Sequence, residues 1–387
     1  MDLAPLFLTL GGLFLAGLVA DVAARRTRLP RVTLLLAIGV AAGRSGFDLI
    51  PAGFDEIFGF LSIAALTLVA FLLGNALTLD KLRAHGRMIL WVSWSVVAAT
   101  LIVVTAGLWA IGLALPLAMI LASIACATAP AAMQDILRET GIDSGFAETL
   151  RGIVAIDDAW GLIVFSLVLV AAAALSGANG HGLIALAVED IAGAFAIGLA
   201  VGLPGAALTG RISRGEPLQA EALGLVFLTA GLCSWLGVSY LLAGLVAGAI
   251  IANFATHHER AFHEIEHVQW PFMLLFFLMA GAVLEVAQLW ALGGVGVAYV
   301  VLRILARVIG GWTGGWLAGA DPVERRWIGP ALLPQAGVAV GMALVAAEQF
   351  PDWGPQIMSL TVGTTVAFEV IGPPITRLAV ARVGVKP

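Results

Sequence analysis

The sequence predicts an all-α membrane protein of about thirteen transmembrane helices. Three observations carry that prediction. Of 387 residues, 60% are hydrophobic and only 12% charged, where a soluble domain of this length is roughly a quarter charged. The mean hydropathy is +1.01, and the chain divides almost end to end into apolar runs of the roughly 20 residues that cross a bilayer core about 30 Å thick. The third observation is that Lys and Arg gather in alternate loops. The formal charge of −5 leaves no basic field for nucleic acid, so that class of partner is excluded. Cys126 and Cys233 both lie in apolar runs, which removes a disulfide framework and a cysteine-type zinc site together.

Taken in order, the predicted spans run Leu3 to Ala24, Val32 to Gly43, Phe58 to Leu79, Met88 to Gly112, Leu115 to Leu137, Gly152 to Ala174 and Ile191 to Thr209. The remainder run Ala220 to Leu236, Val238 to Ala255, Trp270 to Val286, Leu289 to Ala318, Trp327 to Ala346 and Ile357 to Thr376. The first is read as a retained helix rather than a signal peptide, because Met1 and Asp2 carry no positive charge while Arg25, Arg26 and Arg28 follow it. With this division, seventeen of the twenty Lys and Arg residues fall on one side: the clusters around Arg25, Lys81, Arg138, Arg211, Arg260 and Arg325, and the tail. Arg44 alone falls in a loop on the other side, and Arg303 and Arg307 lie inside span 11. The positive side is cytoplasmic, so the amino terminus is expected outside and the carboxyl terminus inside. Deleting the short second span would put the Arg25 and Lys81 clusters on opposite sides. No loop exceeds about 17 residues, which leaves no room for a soluble domain.

Helix breakers mark where the membrane work is done. Span 5 is interrupted by Ala127-Thr128-Ala129-Pro130, and span 12 by Leu332-Leu333-Pro334-Gln335-Ala336-Gly337. A proline inside a helix frees backbone carbonyls, and broken backbone at membrane depth is tolerated where it is buried in protein or lines a wet cavity. One such break alone reads as a simple kink. Two breaks, in spans of opposite direction, suit the inverted repeats of a transporter, with two broken helices crossing near the midplane.

Intramembrane charge is the second pointer. Asp157 and Asp158 sit side by side about two turns into span 6, where a carboxylate is costly unless paired, hydrated or protonated. Neighbours on a helix point about 100° apart, so one can face an ion cavity and the other a fixed cation. Arg303 and Arg307, i,i+4 neighbours in span 11, are the candidate cations, and arginine neutralises a carboxylate without shuttling its proton. Glu369 in span 13 is a third buried acid, expected to pair with Arg303.

These residues carry a resemblance. Asp157-Asp158 after the broken helix with Thr128-Ala129-Pro130, the later Leu333-Pro334-Gln335-Ala336-Gly337-Val338-Ala339, and Thr364-Thr365-Val366-Ala367-Phe368-Glu369 resemble the monovalent cation/proton antiporter superfamily. The branch with paired aspartates, typified by bacterial sodium/proton antiporters, is the most similar, and Phe71 through Gly74 with Leu79 through Arg83 is similar to its third-span ending. The resemblance implies a homodimer in a bacterial inner membrane. It implies a mobile core domain from the helices around 88–174 and 290–380, working against a scaffold made of the rest. It also implies that Asp158 is the shared site for sodium and proton, with Asp157 bound to a basic residue of span 11. By the following Gly310 to Gly315 pattern that residue is Arg307, where relatives often have lysine. Ala129 stands where other branches carry an aspartate, and Asn75 and Ala76 stand near the position of a third-span glutamate.

The implied chemistry is competition. Desolvation raises a carboxylate's affinity for protons, while sodium needs it ionised and supported by several oxygens. Thr128, Asp157 and backbone carbonyls at Ala127 and Ala129 are the further candidate ligands, and Gln335 is expected to reach the opposing broken segment. Neither cofactor nor enzymatic activity is implied; the partners are a monovalent cation, protons and the bilayer. Potassium is the alternative cargo, and a sodium-coupled organic-anion symporter is a more distant reading. An intramembrane aspartyl protease needs its aspartates on separate helices in a Gly-x-Gly-Asp setting that the sequence lacks. His257, His258, His263 and His267 cluster in a predicted cytoplasmic loop. They are read first as incidental to a polar interfacial helix and second as pH sensors.

Overall fold

A computed structural model describes residues 3–27, 31–51, 54–74, 77–78, 86–129, 133, 136–137, 145–176, 183–209, 218–255, 258–284, 293–335 and 337–384. All regular structure among them is helical: α1 (Leu3–Thr27), α2 (Arg31–Ala42), α3 (Phe54–Gly74), α4 (Gly86–Ala110), α5 (Leu115–Ile124), α6 (Gly145–Leu175) and α7 (Leu183–Thr209). There follow α8 (Leu218–Leu236), α9 (Tyr240–Phe254), α10 (His258–Val283), α11 (Gly293–Ala318), α12 (Pro322–Ala331), α13 (Gly337–Gln349) and α14 (Gly354–Gly384). Every predicted apolar stretch carries helix, and the twelfth is split into α12 and α13. Phe7, Leu8, Trp94, Trp235 and Trp316 are more than half exposed, as side chains that face lipid rather than water are.

Several helices run further than their hydropathy predicts, and two of the extensions bear on the candidate residues. The sixth begins at Gly145 rather than Gly152, because Phe146, Ala147 and Leu150 are buried in a hydrophobic cluster and Glu148 favours the positive end of a helix. Asp157 is therefore about 18 Å along its helix, at 1.5 Å per residue. The tenth begins at His258, so the histidine segment 258–267 is the first part of α10 and not a loop. Phe262 and Ile265 anchor it: both are buried, and the Phe262 ring lies 5.3 Å from that of Phe71. Pro271 is accommodated inside this helix.

The chain divides into two units, Met1–Thr78 with Ala185–Val286, and Leu79–Ile184 with Ala287–Pro387. In the first, α9 packs on α3 and α10 on α2. These helices touch backbone to backbone: a Cβ on Gly281 would strike the Leu36 carbonyl, and one on Gly248 the Phe71 carbonyl. Aromatic pairs fill the gaps, Phe58 with Phe276 at 6.3 Å and Phe276 with Phe277 at 5.3 Å. Ser239 caps α9 by accepting from the Leu242 N–H at 3.2 Å, while its own N–H donates to Asp190 at 2.7 Å.

In the second unit α4 and α11 lie antiparallel along each other, with Gly310 against Val96, Gly314 against Val92 and Gly107 against Leu302. On another face of α11, Gly311 meets Gly329 of α12 backbone to backbone. Residues of α4, α6, α12 and α14, among them Val92, Ile153, Ile328 and Val380, share one buried cluster. This packing sets the two interruptions beside α11.

Candidate functional site

α5 ends at Ile124, Ala125 and Cys126 form a turn, and 127–129 are non-helical before helical geometry resumes at Met133, whose N–H donates to Ala129 O at 3.0 Å. Pro130 itself lies outside the described residues, but its sequence role is plain: without an N–H it cannot serve the carbonyl four residues earlier, that of Cys126. α12 likewise ends at Ala331, and residues 333–335 are non-helical before α13 begins. Each break leaves the carbonyl end of a half-helix, the negative end of its dipole, buried without its ordinary donors.

Two arginines supply those donors. All three guanidinium nitrogens of Arg303 donate to carbonyls: Nε to Ala125 at 2.9 Å, Nη2 to Ala127 at 2.9 Å and Nη1 to Leu333 at 2.8 Å. One side chain thus holds both interrupted segments. Its guanidinium carbon lies 4.2 Å from the centroid of the Phe368 ring, and Glu369 is buried one residue further along α14. Arg307, one turn on, donates through Nη2 to the carbonyls of Ala125, Cys126 and Ala127. Its Nη1 reaches Asp157 Oδ2 at 2.8 Å, in an ion pair with both side chains fully buried. The other oxygen of Asp157 accepts from the Ser93 hydroxyl at 2.7 Å. The carboxylate is thus held from two helices, α4 and α11.

Gln335 is buried and donates from Nε2 to Ile124 O at 3.3 Å, crossing from the second interruption to the first. Tyr299, one turn before Arg303, donates its hydroxyl to Leu121 O at 3.2 Å. Thr376 of α14 donates to Ala331 O at 2.9 Å and so serves the last residue of α12. Thr128, Ala127 and Ala129 are buried in the first break, and Pro334 is packed against Gly372. Asp158 follows Asp157 on α6, but its side chain lies outside the described residues, as do those of His258, His263 and His267. His257, Asn75 and Ala76 also lie outside them.

Ser93 and Tyr299 join the site without having been singled out in the sequence, and Phe368, named there only within the stretch Thr364 to Glu369, joins it as the ring under Arg303. For Tyr299 a signal exists, since it completes an i, i+4, i+8 row with Arg303 and Arg307. For Ser93, one serine in an apolar span, there is none.

Paired interrupted helices meeting over buried charge inside an all-helical membrane protein define a secondary transporter. Residues 10–381 match the sodium/hydrogen exchanger transmembrane family, and the chain belongs to it; it is a cation/proton antiporter by family and an integral membrane protein. Among curated proteins it is 23% identical to the ammonium/H(+) antiporter subunit AmhT of Alkalihalophilus pseudofirmus over 364 residues, covering 93% of this chain and 86% of that protein. Among solved structures, the sodium proton antiporter MjNhaP1 from Methanocaldococcus jannaschii at pH 8 is similar at a TM-score of 0.79 and 17% identity, covering 99% of this chain and 100% of that one. An electron-microscopy map of the same antiporter gives a TM-score of 0.71 at 18% identity, over 99% and 96% of the two chains.

Proposed function

We propose that this antiporter exchanges protons for sodium or lithium at Asp158, with Asp157 as a fixed structural charge. The observation that supports the division of labour is the saturation of Asp157: one oxygen takes the Ser93 hydroxyl and the other the Arg307 guanidinium. A carboxylate held by a partner that keeps its proton at every working pH cannot cycle between proton and cation. Its neighbour on α6, about 100° around the helix, is then the group that binds either. Thr128 and the carbonyls of the first interruption contribute oxygen ligands, as hard cations require. Since Arg307 keeps its charge, only one proton exchanges per cation, and transport is insensitive to membrane voltage.

In this reading the second unit, with the interruptions, is the moving core and the first is the scaffold of a homodimer in the bacterial inner membrane, with the carboxyl terminus cytoplasmic. Positive charge on one side of the spans supports that orientation. Ammonium is the second reading for the cargo, favoured by the name of the curated relative; potassium is the third.

The test is proton flux in proteoliposomes under sodium, lithium, potassium and ammonium gradients applied one at a time, with protein-free vesicles correcting for ammonia leakage. Sodium and lithium are expected to drive flux, and Asp158→Asn to abolish it while the protein still folds. Full exchange by purified Asp158→Asn removes the assignment, and flux driven by ammonium or potassium alone replaces the cargo.

A further inference from the structure

Among the described residues, three buried oxygens of the second unit meet no hydrogen-bond partner: Oγ1 of Thr361, Oγ1 of Thr365 and Oε1 of Gln335. All three residues are fully buried, and an unpaired polar group in such a place is costly. Four other buried threonine hydroxyls avoid that cost by donating to the carbonyl one turn back, though the buried Ser62 hydroxyl of the first unit also meets no partner. Thr67 donates to Ile63, Thr100 to Val96, Thr229 to Leu225 and Thr364 to Leu360, all at 2.7–2.8 Å. Thr361 and Thr365 turn away from this option.

Their common direction follows from the helical period. At about 100° per residue, Thr361, Thr365, Phe368 and Gly372 share one stripe of α14 roughly 60° wide. Phe368 lies under Arg303 and Gly372 against Pro334, so this end of the stripe faces the second interruption, and Thr365 and Thr361 continue it along the axis, about 10 and 16 Å from Gly372 at 1.5 Å per residue. α13 packs on α14 after the short connection at 350–353 and returns antiparallel. Equal rise along both helices sets its first turn level with about residue 366. The first N–H groups of a helix have no acceptor inside it.

A polar niche with acceptors on α14 and Gln335, and donors at the start of α13, is built for a small neutral molecule that both donates and accepts. A cation is disfavoured there, because the Arg303 guanidinium and the helix amino terminus both present positive charge, the arrangement that keeps cations out of water pores. We propose that Gln335, Thr365 and Thr361 hold a row of ordered waters that starts at the second interruption and follows this stripe of α14, in a hydrated niche separate from the ion-exchanging carboxylate and closed to the transported cation. Water with two to four polar partners satisfies such a site, and it lets the non-helical segment at 333–335 stay hydrogen-bonded inside the membrane.

The experiment uses the full chain in proteoliposomes, compared with Thr361→Val, Thr365→Val and the double variant, which keep the side-chain shape and remove the hydroxyls. In X-ray radiolytic footprinting, the buried Phe368 ring is expected to take up oxygen in the unaltered protein, and the uptake to fall at least three-fold in the double variant. The thermal midpoint is expected to fall by about 2 °C or more, and KM for the cation to stay within two-fold. An unlabelled Phe368, or a midpoint that holds or rises because a dry orphan hydroxyl has been removed, overturns the niche. A KM raised ten-fold or more overturns water in favour of a cation ligand. Labelling and midpoint are read without transport, so failure of the Asp158 assignment and failure of the niche are distinguishable.

Discussion

The two units of this protein solve the membrane problem by different physics. In the unit of Met1–Thr78 and Ala185–Val286, the buried residues described are apolar apart from hydroxyls such as Ser62, Thr67 and Thr229. Its helices are continuous and approach until glycine faces backbone. In the unit of Leu79–Ile184 and Ala287–Pro387, two helices are broken, and Asp157, Arg303, Arg307 and Glu369 are all buried. Apolar packing suffices where each backbone group bonds within its own helix. Where carbonyls are set free, charge has to be brought in to satisfy them, and once inside it has to be balanced. A tightly seamed unit and a polar, interrupted one suit the scaffold and core proposed for them.

Substitutions can break this contrast or sharpen it. The largest loss is expected from Arg307→Ala, which strands the buried Asp157 charge and the Cys126 carbonyl, since Arg303 still serves Ala125 and Ala127, at about 3–5 kcal/mol. Arg307→Met together with Asp157→Asn should lose less than Arg307→Ala alone, because no unpaired charge is left behind. Thermal unfolding of the single and double variants in detergent measures this, and strictly additive losses would show that the pair does not interact.

Packing damage in the other unit should rank next. Gly281→Val drives a branched side chain into the backbone of Leu36, with an expected cost of about 1–3 kcal/mol or more. Gly231, with open space around its Cβ direction, is the control, and its replacement by alanine should leave the midpoint unchanged or raise it. Equal losses at the two glycines would remove the close-packed seam from the account.

Ser93→Ala withdraws one hydrogen bond from a buried carboxylate and should cost about 1.5–3 kcal/mol, with exchange retained because Arg307 still holds Asp157. The same hydroxyl deletion in the first unit, Ser239→Ala, removes only a cap and should cost roughly 1 kcal/mol. If Ser239→Ala proved the more damaging of the two, the concentration of electrostatic stability in the interrupted unit would be refuted.

Much of the fold was legible along the chain because lipid is an exacting solvent. Runs such as Met88 to Gly112 and Leu289 to Ala318 have to be apolar throughout, and Pro130 and Pro334 announce lost hydrogen bonds wherever they stand. Helix ends were less legible, since the starts at Gly145 and His258 depend on Phe146 and Phe262 finding apolar partners outside the span. The reach of Arg303 was not legible. Its sequence neighbours advertise a charge in need of a carboxylate, and Glu369 was the natural expectation, yet its nitrogens go to three main-chain carbonyls.

What the sequence by itself determined, then, is the set of things each residue owes to its immediate surroundings: an apolar span to the bilayer, a proline to its missing N–H, a buried charge to the need for compensation. Which partner compensates is decided by tertiary structure. Arg303 meets Ala125 and Ala127 across 178 and 176 residues of chain, and Arg307 meets Asp157 across 150. Those meetings exist because glycines at 310, 311 and 329 let α4 and α12 close on α11. Every peptide carries the same carbonyl, so nothing in the residue letters distinguishes the ones a guanidinium will reach; only the packing of three helices does.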